Sequence, residues 1–454
     1  MAGDSSVFTA NASQNANVRG PPAKSQPSPS SKPLKPWKDL IRSHKDAVLI
    51  VHVIGENAAD SAETGGSSSA PRCLCTGSAD GIIRVFDLSR QGGSQPSVLQ
   101  RLTIGRPEEW ADATIPGRPA ARGCGSCTSF AFVPRKGTGE DQLQSQVSSS
   151  SGGLLVTIYV GYECGGLASY DTTEGRFVST ASSHEAAVTA LHFLKHPAAA
   201  DAEASEAPGL ISTSLDSTVR GWRTQGGSQE LECLFVLDFG SRNPVSALQH
   251  LWGDNMLASC WDGRLRVIDF RVKRCSHIVE VTASRLTSLC VSSPAGSGKP
   301  VDVFAGTDEC KIVAWIFQVG GSPVQRLSWH AHDGAVTALS VSGGSLVSGS
   351  EDWHIRVWRA QDGTLLDELS GHTGTILSMC VAKAENMLWA GSRDWSVRSW
   401  NLNEVEQRVI DRQRMLLMDQ ESALWRAWMR INGDKARKQK PKAKAAQAKP
   451  SQAR

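Results

Sequence analysis

The sequence predicts an all-β protein in which seven similar units of about four strands each form a closed ring, a β-propeller. The stretch from His332 to Trp358 reads H-x-G-A-V-T-A-L-S-V followed by L-V-S-G-S-E-D-W-H-I-R-V-W. The same pattern returns about 40 residues later, from His372 to Trp400, which is the period of propeller blades. Within each unit, alternating apolar runs are separated by Gly, Asp, Asn or Ser, as expected for short strands and tight turns. A unit of this kind cannot bury its own face, so neighbouring units must stack.

Five weaker copies precede the two clear ones and bring the number of units to seven. In chain order the units span residues 44–87, 127–171, 184–222, 245–269, 286–315, 332–358 and 372–400. The last unit reaches Leu402 without a good outer strand. We expect the segment from Trp37 to Ile41 to supply it, because a strand from the other end of the ring would close the seventh unit and protect its open edge.

These repeats, with a His near the start and a Trp near the end of each clear copy, resemble the WD-repeat family over most of the chain. The resemblance implies a seven-bladed WD-repeat β-propeller over residues 36–402. It also implies a function in protein binding, as a non-catalytic scaffold or a subunit of a multiprotein complex.

Four polar positions within a unit are expected to form one hydrogen-bonded chain, here called the tetrad. Two units have the complete set: His184, Ser212, Asp216 and Trp222, and His332, Ser348, Asp352 and Trp358. The seventh unit has His372, Asp394 and Trp400, with Ala390 in place of the hydroxyl residue, and the first has Phe86 in place of the Trp. His, Ser and Asp together suggest a hydrolase, but their recurrence with the blade favours a structural network. No nucleotide-binding loop, metal cluster or isolated nucleophile is apparent, so we predict no enzyme, no cofactor and no small-molecule substrate.

The composition is that of a globular protein, with 40% hydrophobic and 20% charged residues. The 11 Cys follow no regular framework, which favours a reducing compartment. We predict the cytoplasm, with the nucleus as the alternative. The pair Cys124 and Cys127 has metal-ligand spacing, but no second Cys or His pair completes a site. No apolar run is long enough to span a bilayer. Residues 1–35, rich in Ser, Pro, Ala and Asn, are predicted to be a disordered leader.

Tryptophan at an unusual position suggests a partner-binding site. The resemblance implies that the turn around each tetrad Asp lies on a face of the ring that commonly holds peptides. Trp353 and Trp395 directly follow that Asp in the sixth and seventh units, and Trp261 directly precedes Asp262 in the fourth. Trp is enriched at binding hot spots. We therefore predict an aromatic patch flanked by Arg393, Glu351 and His354; alternatively, these rings fold over neighbouring loops or a C-terminal helix.

A second candidate site lies between Met256 and Arg271. This segment resembles the box by which some WD-repeat proteins dock onto the adaptor of a cullin ubiquitin ligase. The residues on that pattern are Asp262, Arg266, Asp269 and Arg271, whereas Ile268 replaces its aromatic residue. The alternative function that follows is substrate receptor of such a ligase.

An amphipathic helix is predicted over residues 403–433. Asn403 and Glu406 form a start that resembles a capping box, and Gly433 is a helix stop. Its apolar face contains Ile410, Leu417, Leu424, Trp428 and Ile431. A face this apolar needs a surface, either the propeller or a partner, or a second copy in a coiled coil.

Residues 434–454 are predicted to be a basic disordered tail. From Lys435 to Arg454 there is no acidic residue, and Lys and Arg alternate with Ala, Gln and Pro. Such a tail suits RNA phosphates or another acidic surface, so a subunit of a ribonucleoprotein or ribosome-assembly particle is a further alternative. A tail that serves only solubility is equally compatible with this composition.

Overall fold

The computed structural model describes residues 36, 38–40, 44–54, 73–88, 99–105, 107, 126–134, 156–194, 209–224, 231–240, 243–292, 299–383 and 386–438. In these ranges it has strands β1 to β28 and one helix, α1. One compact unit ends at Leu402 and a second begins at Asn403. The predicted leader, residues 1–35, lies outside the described residues, as does Cys124.

The strands form seven separate four-stranded antiparallel sheets, which we number as blades in chain order. Blade 1 contains β2 Val48–Ile54, β3 Cys73–Ser78, β4 Ile83–Asp87 and β5 Leu99–Ile104. Blade 2 contains β6 Cys127–Pro134, β7 Val156–Tyr162, β8 Gly166–Asp171 and β9 Arg176–Ser182. Blade 3 contains β10 Val188–Phe193, β11 Leu210–Ser214, β12 Thr218–Thr224 and β13 Leu231–Asp238. Blade 4 contains β14 Val245–Trp252, β15 Asn255–Cys260, β16 Arg264–Asp269 and β17 Arg274–Glu280.

The remaining three blades complete the ring. Blade 5 contains β18 Leu286–Val291, β19 Val301–Thr307, β20 Lys311–Phe317 and β21 Val324–His330. Blade 6 contains β22 Val336–Ser342, β23 Ser345–Ser350, β24 Ile355–Arg359 and β25 Leu365–Leu369. Blade 7 contains β26 Ile376–Ala382, β27 Met387–Ser392, β28 Val397–Asn401 and β1 Lys38–Leu40. The predicted seven-bladed β-propeller is thereby confirmed.

Ring closure follows the expected route through the N-terminal strand. β1 pairs antiparallel with β28, with Asp39 opposite Arg398, so the outer strand of blade 7 comes from the other end of the propeller sequence. This pairing satisfies the edge of β28 and joins the two ends of the ring in a single sheet. The expected strand is therefore confirmed, although Trp37 and Ile41 lie outside the described residues.

Neighbouring blades approach each other closely at a glycine in the second strand. A Cβ atom at Gly161 would lie 2.6 Å from Val188 of blade 3, and one at Gly391 would lie 2.7 Å from Val48 of blade 1. These separations are too short for two carbon atoms, so only glycine lets the first strand of the next blade pack at this distance. These glycines are thus packing residues, and each has a side chain of the following blade among its nearest neighbours.

Helix α1 spans Leu402–Lys438 and is longer than the sequence indicates. It begins directly after Asn401 of β28, so Asn403 lies inside the first turn and does not cap it. The prediction that Gly433 ends the helix is wrong, since a single glycine costs a helix only about 1 kcal/mol relative to alanine and helix-favouring Lys, Ala and Arg follow it. Residues 434–438, predicted as tail, are consequently helical.

The predicted apolar face of α1 is described only in its first part. The side chains of Ile410, Leu417 and Leu424 are exposed. Those of Trp428 and Ile431 lie outside the described residues, as does the basic segment 439–454. The docking surface of this helix stays a prediction.

Candidate functional site

The tetrads of blades 3 and 6 form two hydrogen-bonded chains with nearly the same dimensions. In blade 3, Nδ1 of His184 lies 2.9 Å from Asp216 Oδ2, Nε2 of His184 lies 2.7 Å from Ser212 Oγ, and Trp222 Nε1 donates to the same Oγ over 2.8 Å. In blade 6 the three corresponding distances, from His332, Ser348 and Trp358, are 2.9, 2.7 and 2.7 Å. Each chain ties together the loop before the blade, two of its strands and the turn between them.

The direction of each hydrogen bond follows from which groups can only donate. The indole Nε1–H of Trp358 can only donate, so Ser348 Oγ accepts from it and donates its own proton to His332 Nε2. Because His332 Nε2 accepts a hydrogen bond, it carries no proton and the imidazole is neutral. The one ring proton is on Nδ1, which donates to Asp352. Burial lowers the pKa of His332 against the raising effect of Asp352, in agreement with that state. Burial alone would raise the pKa of Asp352, but hydrogen bonds from His332 and from two backbone N–H groups outweigh it and hold that pKa below its usual range.

The tetrad of blade 7 is broken at its centre. Nδ1 of His372 lies 3.0 Å from Asp394 Oδ2, as in the complete tetrads. Ala390 stands where the other two blades have a serine, and it offers no oxygen. His372 Nε2 and Trp400 Nε1 are consequently buried with no hydrogen-bond partner among the described residues. In blade 1 the chain is shortened differently: His44 Nε2 lies 2.8 Å from Thr76 Oγ1, but Phe86 replaces the Trp donor.

The turn between the second and third strands, which holds the tetrad Asp where one is present, has the same unusual backbone in every blade. Its last residue has a φ between 64° and 87° in all seven blades: Gly81, Gly165, Ser217, Gly263, Cys310, Trp353 and Trp395. The Asp side chain fixes this turn. In blade 6, Asp352 accepts from the N–H of His354 at 3.0 Å and from the N–H of Asp333 at 3.1 Å. A left-handed backbone costs an ordinary residue roughly 1–2 kcal/mol, and glycine very little. Bulky Trp353 and Trp395 are therefore the most unfavourable occupants of this position.

Trp353 and Trp395 extend from these turns into solvent. Their side chains are 54% and 47% exposed, and they occupy equivalent turns of adjacent blades, at the same end of the ring. An exposed tryptophan on a strained backbone improves neither packing nor chain conformation. Backbone strain of this kind persists only where the surrounding structure imposes it, and it concentrates at functional sites.

The residues predicted to flank the two tryptophans differ in accessibility. Glu351 and Arg393, each two residues before its Trp, are exposed and place opposite charges beside the two rings. His354 is half-buried, and its Nδ1 lies 3.4 Å from Glu368 Oε1. Glu351 and Arg393 can therefore meet a partner directly, whereas His354 is oriented towards the outer strand of its own blade.

Trp261 is placed differently from the other two tryptophans. It lies two residues before the left-handed position of its turn, which is occupied by Gly263. Its side chain is half-buried, and the guanidinium carbon of Arg285 lies 4.7 Å from the centre of its ring. This cation–π contact covers one face of the ring, so Trp261 offers a partner less surface than Trp353 or Trp395. Arg285, which the sequence pattern did not single out, is the residue that covers it.

The residues on the adaptor-box pattern are largely engaged within blade 4. The guanidinium of Arg266 is buried and makes two hydrogen bonds to Asp262, of 3.0 and 2.5 Å. Asp269 accepts from the backbone N–H of Arg271 at 2.9 Å and stabilises a turn. Of the four, Arg271 is the one whose side chain is exposed.

Cys310 is a functional candidate that sequence reasoning missed. It occupies the left-handed turn position of blade 5, next to the exposed Trp353 of blade 6 in the order of the ring. The signal was available in the segment Asp308-Glu309-Cys310-Lys311. When the strands are aligned, Glu309-Cys310 corresponds to Asp352-Trp353 and to Asp394-Trp395. Within the described part of the chain, no three His, Cys, Asp or Glu side chains are arranged to hold a metal ion. The one helix described there has no stretch long and apolar enough to cross a membrane.

Comparison with known proteins agrees with the class that fold and tetrads define. The sequence model of the WD domain, G-beta repeat, matches residues 321–359 and 363–401, which run from the outer strand of blade 5 to β28 of blade 7. The chain thus carries WD40 repeats and folds as a seven-bladed WD-repeat propeller. The crystal structure of the WD40 β-propeller domain of Doa1 superposes with a TM-score of 0.53 at 13% identity, covering 80% of this chain and 95% of that one, and shows the same fold.

Among curated proteins, the relatives are distant and much longer. WD repeat-containing protein 90 of Homo sapiens is 26% identical over 71% of this chain and 22% of its own length. Apoptotic protease-activating factor 1 of Rattus norvegicus is 24% identical over 52% of this chain and 18% of its own length. The chain therefore spans about a fifth of the relatives it matches.

Proposed function

We propose that this protein is a non-catalytic interaction scaffold that binds a protein partner through the turn face of blades 6 and 7. The observation that carries the proposal is the pair Trp353 and Trp395, half exposed at a backbone position that five other blades give to glycine or a small residue. Tryptophan supplies large apolar area with a hydrogen-bond donor at its edge, which is why it dominates interface hot spots.

The rigidity of the two turns supports the same proposal. Trp395, like Trp353, follows an Asp that is hydrogen-bonded on both sides: Asp394 accepts from the N–H of Thr373 at 2.9 Å and from the N–H of Ser396 at 3.0 Å. A ring presented by a fixed turn loses little conformational entropy when a partner covers it. Two such rings on adjacent blades offer an anchor that is organised before binding.

The experiment is an affinity purification of the tagged full-length protein, read by mass spectrometry. Trp353→Gly with Trp395→Gly is the informative variant, because glycine already occupies this turn in blades 1, 2 and 4 and accepts its backbone. Ser217→Gly in blade 3 is the matched control, with the same backbone change on a distant blade. We expect the double variant to lose partners that the control retains. A folded double variant that keeps every partner contradicts the proposal.

The same purification separates the alternatives that use other parts of the chain. If the partners disappear on nuclease treatment of the wild type, the basic segment Lys435–Arg454 and a ribonucleoprotein function are favoured. If the adaptor of a cullin ligase is recovered and is lost with Arg271→Ala, a substrate receptor is favoured. Retention of partners through both treatments supports the scaffold.

A further inference from the structure

The turn face of blades 5 and 6 brings carboxylates from three separate segments together. The carbonyl of Cys310 accepts from the N–H of Ala331 at 2.8 Å, which joins the turn of blade 5 to the loop that enters blade 6. The N–H of Glu351 donates to Ala335 at 3.0 Å and joins that loop to the turn of blade 6. The exposed carboxylates on these segments are Asp308, Glu309, Asp333 and Glu351.

The thiol of Cys310 lies within the field of this group. Burial raises the pKa of Cys310, and the charges of Asp333, Asp352, Glu351 and Asp308 raise it further. Four carboxylates from blades 5 and 6 thus act on one atom at the turn that precedes Trp353 around the ring. This agrees with the backbone hydrogen bonds, which place the three segments side by side.

Only part of this negative charge is neutralised within the described residues. Glu309 pairs with Lys311 at 2.8 Å, and Asp352 is bound to His332 within the tetrad. The cation nearest Asp333 is Arg356 at 3.8 Å, whose guanidinium is also held by Glu368 at 3.1 Å. In the described ranges, neither Asp308 nor Glu351 is in an ion pair. The surface beside Trp353 is therefore acidic.

We propose that this surface binds a lysine- or arginine-rich segment of the partner protein, with one cationic side chain over the ring of Trp353. This inference rests on the proposed function and names the chemistry of its partner. Trp has the aromatic face that attracts a cation most strongly, and nearby carboxylates accept its N–H groups. Glu351 and Asp333 surround the cation, and Asp308 extends the negative surface across blade 5.

Blade 7 gives the site a polarity. Exposed Arg393 stands beside Trp395 and would repel a second cation. Arg285, whose backbone N–H donates to Asp308 Oδ1 at 3.1 Å, has its guanidinium above Trp261 of blade 4. The basic residues of the partner are thus directed to blades 5 and 6, and an apolar residue next to them meets Trp395.

Fluorescence anisotropy with two labelled peptides tests this charge preference directly. One peptide alternates Lys and Ala, and in the other Glu replaces every Lys. We expect the full-length protein to bind the Lys peptide, to lose affinity for it as salt rises, and not to bind the Glu peptide. Equal binding of both peptides, or binding of neither, overturns the inference.

Variants locate the binding on the proposed surface. Asp333→Asn with Glu351→Gln is expected to weaken binding of the Lys peptide about tenfold. Trp353→Gly is expected to weaken it about three- to thirtyfold through loss of the cation–π contact. The matched control is Glu232→Gln with Glu280→Gln, which removes two exposed carboxylates from blades 3 and 4. Undiminished binding by Asp333→Asn with Glu351→Gln, or an equal loss in the control, overturns the inference.

The outcome is separable from that of the proposed function. If the tryptophan double variant loses its cellular partners while the Lys peptide binds no better than the Glu peptide, the scaffold stands and the basic partner is wrong. If the Lys peptide binds as expected but the double variant keeps every cellular partner, this surface prefers cations without being the anchor of the assembly.

Discussion

Ala390 occupies the position in blade 7 at which blades 3 and 6 have the tetrad serine, and replacing it by serine is expected to stabilise the protein. In the complete tetrad of blade 6, Ser348 Oγ lies 2.7 Å from both His332 Nε2 and Trp358 Nε1. The corresponding atoms of His372 and Trp400 are buried and have no partner among the described residues. The Ala390→Ser side chain would add one oxygen between them.

The size of the effect follows from two new hydrogen bonds and the cost of making room for them. Each buried hydrogen bond contributes about 0.5–1.5 kcal/mol net, so two give about 1–3 kcal/mol. The rings of His372 and Trp400 lie 5.6 Å apart between centres, against 6.4 Å for His332 and Trp358. They must therefore separate by 6.4 − 5.6 = 0.8 Å to admit the oxygen, and this repacking brings the expected gain to the lower half of that range.

The assay is urea unfolding of the full-length protein at neutral pH, followed by fluorescence. Ala390→Ser is expected to raise the midpoint without changing the slope. The reciprocal variant Ser348→Ala leaves His332 Nε2 and Trp358 Nε1 buried without a partner and is expected to lower the free energy of unfolding by about 2–4 kcal/mol. An unchanged or lower midpoint for Ala390→Ser, together with a strong loss in Ser348→Ala, would refute the inference that the broken tetrad is a defect that serine repairs.

Three further predictions concern the turn, the blade contacts and the response to acid. Trp353→Ala is expected to be less stable than Trp353→Gly by about 1 kcal/mol, because alanine keeps the left-handed strain that glycine relieves; equal midpoints in urea would contradict this. Gly349→Ala is expected to cost about 1–3 kcal/mol, because its Cβ would lie 2.6 Å from Ile376 Cγ2. Gly344→Ala, with open space around its Cβ, is the control in the same urea experiment. Burial, together with the charges of His250 and His52, lowers the pKa of His192 to about 4. In the unfolded chain this histidine has its ordinary pKa of 6.5, so the unfolded chain binds more protons than the folded chain between pH 4 and 6.5. The contribution of the neutral imidazole to the free energy of unfolding is therefore fully present above about pH 6.5 and is lost as the pH falls towards 4. His192→Gln should flatten urea midpoints measured across this pH range, and an unaltered pH dependence would exclude this residue as the cause.

Much of the fold was predictable because each blade repeats a local pattern. Alternating apolar residues specify strands, and the repeated His, Ser, Asp and Trp positions specify which side chains bond within a blade. The N-terminal strand Lys38–Leu40 could be assigned to blade 7 because that blade otherwise lacked an edge. The end of the helix could not be read in the same way. The predicted end at Gly433 rested on one residue, and the small energetic cost of a glycine does not end the helix before Lys438.

The candidate site was only half visible in the sequence. Trp353 and Trp395 were unusual because they follow the tetrad Asp, and that can be read from spacing alone. Spacing also placed Trp261 in the same group, but the guanidinium of Arg285 lies over its ring. The carboxylates around Cys310 were not recognised, because Asp308, Asp333 and Glu351 belong to different segments of the chain.

The sequence by itself determined the number of blades, the route by which the ring closes and the members of each tetrad, because these depend on periodicity and on hydrogen bonding within one repeat. The tertiary structure decided which groups stay unsatisfied around Ala390 and which tryptophans face solvent. It also decided which charges gather at the junction of blades 5 and 6. These properties depend on distances between segments that meet only when the blades stack, and a local pattern carries no information about them.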